Sequence, residues 1–126
     1  MSFNETKPGE FIWNRLIAPD ANSVKLFYNS LFGWDTYEVG YEELTYNIFT
    51  LDGKNVAGFL HVPGTNYRPH WMCFVQVENM EATLDKSVRL GATLFSPVKL
   101  IEHIGKVAII QDPNNALLGF FEPLKP

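Results

Sequence analysis

The stretch from Lys106 to Pro123, KVAIIQDPNNALLGFFEP, decides the fold. Two short apolar runs, Val107 to Ile110 and Ala116 to Phe121, flank the sequence Asp112-Pro113-Asn114-Asn115. These four residues favour tight turns and tolerate left-handed backbone, so the stretch predicts a β-hairpin. Both runs are apolar at nearly every position, which predicts that other parts of the protein cover both faces of the hairpin.

Length and composition predict one domain. The chain has 126 residues and a hydrophobic content of 46%, which is enough for one core and too little for two ordinary domains. The net charge of -4 comes from interleaved acidic and basic residues, so no basic face is available for nucleic acid or an anionic membrane. The single cysteine, Cys73, excludes an internal disulfide, and the N-terminal residues lack the apolar core of a signal peptide. We therefore expect a cytoplasmic protein that binds neither nucleic acid nor membranes.

The first half of the chain carries one helix pattern among four strand patterns. Phe11 to Ala18 predicts a strand, and Asp20 is a suitable N-cap for a helix that ends at Gly33. Further strands are predicted at Trp34 to Val39, Leu44 to Leu51 and Asn55 to Val62, the last two joined by the hairpin dipeptide Asp52-Gly53. The helix is expected to have one apolar face, made of Val24, Phe27, Tyr28, Leu31 and Phe32.

The same order recurs after the loop at residues 63–69. A strand at Trp71 to Val77 precedes a helix that Asn79 caps and Gly91 ends. The remaining strands are predicted at Ala92 to Phe95, within Lys99 to Ile104, at Lys106 to Gln111 and at Ala116 to Glu122. A shift of about 58 residues superposes the halves and aligns Trp13 with Trp71. We predict an α+β fold in a single domain over residues 1–126, with βαβββ units at about 11–62 and 70–123.

Five segments can be compared with known families: FIWNRLIAPD, KLFYNSLFGW, HWMCFVQVEN, RLGA and GKVAIIQDPNNALLGFFEP. The most specific motifs within them are FY-x-x-LFGW and DP-x-x-A-x-x-G-F-F-E. Together they resemble the vicinal oxygen chelate superfamily, which includes glyoxalase I, bleomycin-resistance proteins and extradiol dioxygenases. The resemblance runs from about Gly9 to the C-terminus. It implies curved mixed sheets with helices outside, a homodimer, and sites on the concave faces of the sheets. Whether the units pair within one chain or are exchanged between chains stays open.

In metal-dependent members of this superfamily, four side chains on the first and fourth strands of the units hold a divalent ion. Carried over by position, these ligands fall on Trp13, Met72, Gly119 and one of Phe59, Leu60 or His61. Neither a Trp nor a Gly side chain can ligate such an ion, and a thioether is a poor ligand for a hard cation. We therefore predict no metal cofactor. The alternative is a rearranged divalent site on His61 and His70, serving a lyase, isomerase or dioxygenase.

An apolar cavity with one cation is the leading hypothesis for the site. Arg15 lies two residues after Trp13 and shares its strand face, so it needs either a carboxylate such as Glu122 or Asp112 or the acidic group of a ligand. The alternative for the aromatic residues is ordinary core or interface packing. The expected cavity residues are Trp13, Arg15, Tyr46, Phe59, His70, Met72, Phe74, Gly119 and Phe121. This set predicts metal-independent binding of a small, partly aromatic or anionic organic molecule.

Other common chemistries find no support in the sequence. Cys73 alternates with Met72, so its thiol is expected on the helix side as a small hydrophobe. Asp112 is expected to accept backbone N–H bonds within its turn. The sequence shows no Ser/His/Asp triad order, no Gly-rich phosphate loop and no pair of carboxylates with a shared site, so the common hydrolase and nucleotide-binding classes have no support.

Overall fold

The computed structural model describes residues 6–42, 44–64 and 66–125. The ends of the predicted domain, residues 1–5 and 126, lie outside the described residues, as do Glu43 and Thr65. The first unit comprises β1 (Phe11–Ala18), α1 (Ala21–Phe32), β2 (Asp35–Tyr41), β3 (Leu44–Leu51) and β4 (Lys54–His61). The second comprises β5 (His70–Gln76), α2 (Met80–Arg89), β6 (Thr93–Ile101), β7 (Gly105–Gln111) and β8 (Leu117–Pro123). The predicted βαβββ order is confirmed in both units.

The eight strands form one mixed sheet that closes on itself in the order β1-β4-β3-β2-β6-β7-β8-β5. In each unit the first strand runs parallel to the fourth, and the other neighbouring strands are antiparallel. The antiparallel pair β1–β5 joins the units, so they associate within one chain. The second junction is much shorter, because β2 and β6 share one registered pair, Tyr41 with Ile101.

Short polar signals set the ends of the elements. Asp20 accepts a hydrogen bond from the Ser23 backbone N–H at 3.2 Å, and Gly33 ends α1 with a φ of 77°. Asp52 and Gly53 both have positive φ, 52° and 81°, as a type I′ hairpin turn requires. These predicted caps and turns are confirmed.

The hairpin β7–β8 forms where the sequence predicts it. Asp112 Oδ1 accepts hydrogen bonds from the backbone N–H groups of Asn114 and Ala116, at 2.8 and 3.0 Å, and Asn115 takes a φ of 68°. Alternate residues of β7 and β8 point to opposite sides of the sheet, and both sides are covered. One set packs inside the closed sheet, and the other set, which includes Ala108 and Phe120, packs beneath α2.

The second unit differs from the prediction in one strand. The two short strands expected at Ala92 to Phe95 and Lys99 to Ile104 form the single strand β6, whose pairing with β7 shifts register on both sides of Ser96. Pro97 lies within this irregular stretch and has no N–H to donate to the ladder. The proline therefore interrupts the register without ending the strand.

Helix α1 packs differently from the prediction of one buried apolar face. Ala21, Val24 and Tyr28 contact the cluster of side chains beneath the helix, yet no residue of α1 is buried. Phe27 and Leu31 are 57% and 56% exposed, so the grouping of these residues with Val24 and Tyr28 on one face is wrong. The helix presents a second apolar stripe to solvent.

Neither helix in the described ranges, with 12 and 10 residues, is long enough to cross a membrane.

Candidate ligand site on the inner face of the sheet

We use the term inner face for the surface inside the closed sheet. Its buried apolar side chains are Trp13, Tyr41, Tyr46, Ile48, Leu60, Met72, Phe74, Ile101, Ile104, Val107, Ile109 and Phe121. Arg15 joins them because it is two residues from Trp13 along β1. The guanidinium of Arg15 lies 5.4 Å from the centre of the Phe74 ring, which places a cation over an aromatic face.

Arg15 is 4% exposed and is the one charged residue that is buried in residues 6–42, 44–64 and 66–125. Its Nε is buried and has no hydrogen-bond partner. The expected ion pair with Glu122 or Asp112 does not form. Glu122 accepts from the Met80 backbone N–H at the start of α2, at 2.7 Å, and Asp112 accepts N–H bonds within its turn. A buried cation without a carboxylate carries a large desolvation cost, so this arrangement is unusual.

Two tyrosine hydroxyls provide the polar surroundings of Arg15. Tyr46 is fully buried, its hydroxyl accepts a hydrogen bond from Trp13 Nε1 at 3.0 Å, and its ring lies 5.1 Å from that of Tyr41. Burial raises the pKa of both the Tyr41 and the Tyr46 hydroxyl, and the positive charge of Arg15 only partly opposes this shift. Both hydroxyls therefore remain neutral at physiological pH and keep a proton to donate.

Aromatic rings fill the space in front of two glycines of the inner face. A Cβ atom on Gly119 would overlap the ring of Phe74, and a Cβ atom on Gly58 would overlap the ring of Tyr46. The position at which the superfamily carries its last metal-binding carboxylate is therefore covered by a ring. Gly58 and Tyr41 are site residues that the sequence did not reveal. The sequence predicts a second strand that ends at Val39, whereas β2 continues to Tyr41.

The structure brings most of the predicted site residues together on the inner face. They are Trp13, Arg15, Tyr46, Met72, Phe74, Gly119 and Phe121. Phe59 is an exception, and its assignment to the cavity is wrong. It is paired with Leu16 in the register of β1 and β4, and both side chains pack in the cluster beneath α1. An assignment shifted by one residue on a strand exchanges the two faces of the sheet.

The two histidines of the alternative metal site do not converge. His70 aligns with Ile17 on β1 and His61 with Ala18, and neighbouring residues on a strand point to opposite faces. His61 is exposed and its Nε2 lies 3.0 Å from the carbonyl oxygen of Pro19, whereas His70 Nδ1 lies 2.6 Å from that of Arg68. Among the described residues, no group of three or more His, Cys, Asp or Glu side chains is placed to hold a metal ion.

Two expectations for β5 also need correction. The alignment of Trp13 with Trp71 is wrong by one position, since Trp13 faces inward and Trp71 is 39% exposed with its Nε1 donating to the Tyr28 hydroxyl at 3.1 Å. The residue equivalent to Trp13 is Met72. Cys73 alternates with Met72 as expected, but it is exposed and no helix covers it.

Comparison with known proteins gives two kinds of similarity. No protein-family model matches the chain. "Putative glyoxylase CFP32" of Mycobacterium tuberculosis is 30% identical over 129 residues, an alignment that covers 94% of this chain and 48% of that protein. "Anthracycline biosynthesis protein DauV" of a Streptomyces species is 28% identical over 111 residues, covering 86% of this chain and 40% of that protein. The chain thus spans about half the length of the curated relatives that it matches.

Solved structures support the same fold at lower sequence identity. Methylmalonyl-CoA epimerase of Streptomyces coelicolor superposes with a TM-score of 0.69 at 10% identity, covering 94% of this chain and 100% of that one. The Mycobacterium tuberculosis epimerase gives 0.66 at 10% identity, covering 98% and 94%. At this identity the likeness concerns the fold alone. Taken with the paired βαβββ units and the glyoxylase relative, it shows that the chain is a glyoxalase-like member of the vicinal oxygen chelate superfamily.

Proposed function

We propose that the inner face binds a small, partly aromatic organic molecule with an acidic group, and that no metal ion takes part. The observation that carries this proposal is the burial of the Arg15 guanidinium with an unpartnered Nε. Buried charges in proteins are paired, and arginine cannot lose its charge to avoid the cost of burial. The acidic group of a ligand supplies the missing partner.

The side chains at the superfamily's metal positions support the metal-free part of the proposal. Trp13 uses its one polar hydrogen on Tyr46, Met72 offers a thioether, and Gly119 is covered by the ring of Phe74. This set does not fit a hard divalent ion, which requires oxygen or imidazole donors. Recognition of an anion by a guanidinium and by hydroxyl groups replaces chelation.

The neighbours of Arg15 define the chemistry of the ligand. A guanidinium binds a carboxylate through two parallel hydrogen bonds, and the neutral hydroxyls of Tyr41 and Tyr46 can donate further bonds. The rings of Trp13 and Phe121, with centroids 5.8 Å apart, offer apolar surface beside these donors. A planar ring system with one carboxylate matches both features.

The short junction between β2 and β6 is the proposed entrance. Tyr41 forms the one registered pair across this junction, and Arg15 lies near enough to its hydroxyl for the positive charge to oppose the rise in the Tyr41 pKa. Segments with few backbone hydrogen bonds open at low free-energy cost. Separation of β2 from β6 would move the Tyr41 ring aside and give the incoming anion access to the guanidinium, and the Tyr41 hydroxyl could then donate to the bound anion.

A fused-ring carboxylate tests the proposal directly. The relative named for anthracycline biosynthesis motivates fused rings, so we choose 2-naphthoate, with uncharged 2-naphthamide as the matched probe. Calorimetric titration should show binding of the naphthoate and an affinity lower by roughly tenfold or more both for the amide and in Arg15→Met. Arg68→Met, which removes an exposed arginine, is the control and should bind like the wild type.

Two results would overturn the proposal. Equal affinity of Arg15→Met and the wild type would show that the guanidinium does not recognise the ligand. Binding that disappears after treatment with a chelator and returns with a divalent ion would show that a metal takes part.

A cytoplasmic location belongs to the same proposal. Cys73 is an exposed free thiol, and reducing conditions keep such a group unmodified.

A further inference from the structure

His70 lies at one end of the inner face, where β5 begins. It is registered with Ile17 of β1, and Ile17 packs against the buried side chains of the inner face. Residues that lie directly opposite each other in an antiparallel pair share one face of the sheet. The imidazole of His70 is therefore on the same side of the sheet as Arg15, which lies two residues from Ile17 along β1.

A backbone carbonyl fixes the tautomer of the His70 ring. Nδ1 lies 2.6 Å from the carbonyl oxygen of Arg68, and a carbonyl oxygen can only accept a hydrogen bond. Nδ1 therefore carries the proton, and in the neutral imidazole Nε2 is left as an acceptor. Nε2 is buried, and the residues that the structure describes give it no hydrogen-bond partner. A buried acceptor without a donor is costly, so a ligand that donates to Nε2 gains affinity from this contact.

The spacing of His70 and Arg15 sets the size of a ligand that reaches both. Arg15 is registered with Met72, so His70 is its diagonal neighbour across β1 and β5. Diagonal neighbours on one face of an antiparallel pair lie roughly 7–8 Å apart. Two groups at this separation are too far apart for one carboxylate and close enough for one fused-ring molecule.

A second unpartnered acceptor on the inner face lies farther from Arg15. Gln76 shares the face of Phe74, and its Oε1 is also buried without a partner in the described part of the chain. It lies four residues from Met72 along β5, which places it roughly 13 Å along the strand from the level of Arg15. The registered pair of Trp13 and Phe74 lies between them. His70 is therefore the acceptor that a ligand bound to Arg15 reaches first.

We infer that the ligand of the inner face is an aromatic hydroxy acid, whose carboxylate binds Arg15 and whose distant hydroxyl donates a hydrogen bond to His70 Nε2. This inference rests on the proposed binding of an aromatic acid and adds a second point of recognition to it. A site that accepts a hydrogen bond from a hydroxyl discriminates against the analogue without one, because the buried acceptor then stays unpaired. His70 is thus the residue that distinguishes a hydroxylated acid from an unsubstituted one.

Probes that differ in one substituent test the inference in the full chain. In calorimetric titration, 6-hydroxy-2-naphthoate should bind about tenfold more tightly than 2-naphthoate, as expected for one hydrogen bond to a buried acceptor. Its isomer 3-hydroxy-2-naphthoate has the hydroxyl beside the carboxylate and should bind no more tightly than 2-naphthoate. The same holds for 6-methoxy-2-naphthoate, which has no hydroxyl proton to donate.

Substitutions assign the contact to His70. In His70→Phe the advantage of the hydroxyl should disappear, while 2-naphthoate should bind within about threefold of the wild type. His70→Gln offers a carbonyl acceptor and should keep part of the advantage. His61→Phe removes an exposed histidine and is the matched control, and Gln76→Met removes the other buried acceptor. Both of these variants should keep the full advantage.

Three results would overturn the inference: equal affinities of the wild type for 6-hydroxy-2-naphthoate and 2-naphthoate, an advantage that survives in His70→Phe, or an advantage that is lost in Gln76→Met. If circular dichroism shows that His70→Phe does not fold, the methoxy probe takes its place. Equal affinities of the wild type for the methoxy and hydroxy probes would show that no proton is donated to Nε2. Binding of 2-naphthoate that does not depend on Arg15 contradicts the proposed function as well, whereas Arg15-dependent binding without a hydroxyl advantage contradicts this inference alone.

Discussion

The two units place different chemistry at equivalent inner positions. In the parallel pair β1–β4, Arg15 is registered with Gly58, and in β5–β8, Phe74 is registered with Gly119. Phe74 and Arg15 are therefore equivalent, 59 positions apart, and the two glycines are equivalent at a separation of 61 positions. In the second unit the ring of Phe74 covers its registered glycine, whereas in the first unit Arg15 leaves Gly58 to the ring of Tyr46.

The two units therefore contribute different kinds of side chain to the inner face. The first unit contributes Trp13, Arg15, Tyr41 and Tyr46, which supply a cation, two hydroxyls and an indole N–H. The equivalents of its first two residues in the second unit are Met72 and Phe74, which are apolar. We conclude that the first unit carries the polar part of the candidate site and that the second unit is a packed wall. The predictions below test this division.

Removing the Phe74 ring should have the largest effect, because it opens the packed wall. Phe74→Ala deletes a fully buried ring and should lower the free energy of unfolding by about 3–5 kcal/mol, measured by urea denaturation. Phe11→Ala, at a 63% exposed position, is the control and should cost less than about 0.5 kcal/mol. A loss below about 1 kcal/mol in Phe74→Ala would show that the wall is not closely packed.

Adding a methyl group in front of the rings should have the next largest effect. Gly119→Ala and Gly58→Ala should each lower the free energy of unfolding by roughly 1–3 kcal/mol, because the rings of Phe74 and Tyr46 must move. A smaller ring partner, in Gly119→Ala combined with Phe74→Leu, should recover part of the loss. Gly40→Ala is the control, since its Cβ meets only the flexible carboxyl end of Glu102. Equal losses at Gly40 and Gly119 would contradict this assignment.

Removing the buried charge should act in the opposite direction. Arg15→Met keeps an unbranched side chain but deletes a cation that has no carboxylate partner, so the ligand-free protein should gain roughly 1–2 kcal/mol in its free energy of unfolding. Thermal and urea unfolding measure this gain, and Arg68→Met is the control with no expected change. A loss of stability in Arg15→Met would indicate that Arg15 is a structural residue with a partner in the folded chain.

The fold could be predicted from the sequence because its signals are local. The turn residues at Asp52-Gly53 and at Asp112 to Asn115 and the cap at Asp20 each fix the backbone within a few residues. The sequence predicts β6 as two strands, because a proline usually ends a strand. Pairing with β7 on both sides of Pro97 keeps β6 continuous, and no local signal in the sequence reveals that pairing.

The candidate site was harder to predict because it depends on register between distant strands. Trp13 and Trp71 look equivalent along the chain, yet they lie on opposite faces since the true offset in these strands is one residue longer. Phe59 was assigned to the wrong face because no local signal fixes the register of β4, which pairs it with Leu16 beneath α1. Whether Arg15 forms an ion pair depends on which carboxylates are free to contact it. Glu122 instead accepts a hydrogen bond from the Met80 backbone N–H at the start of α2. The spacing of residues along the sequence does not show which of these two partners a carboxylate binds.

Removing the Tyr46 hydroxyl from the first unit should have the smallest effect on the free energy of unfolding. The pH dependence of that effect shows whether it comes from the buried hydroxyl. Tyr46→Phe loses the hydrogen bond with Trp13 and should cost about 1 kcal/mol at neutral pH. Burial raises the pKa of Tyr46 in the folded protein, whereas tyrosine in the unfolded chain ionises near pH 10. Above that pH the unfolded state binds fewer protons than the folded state. The contribution of Tyr46 to the free energy of unfolding of the wild type should therefore fall by up to about 1.4 kcal/mol per pH unit.

The comparison of variants isolates this contribution of Tyr46. Its stabilising effect is fully present below about pH 10 and is lost as the pH rises towards the folded-state pKa, so the curves of wild type and Tyr46→Phe should converge in alkaline buffer. Tyr37→Phe, which removes a hydroxyl from a 42% exposed ring, should run parallel to the wild type. Urea unfolding from neutral pH to above pH 10 measures all three. Parallel curves for Tyr46→Phe and wild type would mean that water reaches the hydroxyl, and the first unit would then lack the dry polar interior that distinguishes it from the second.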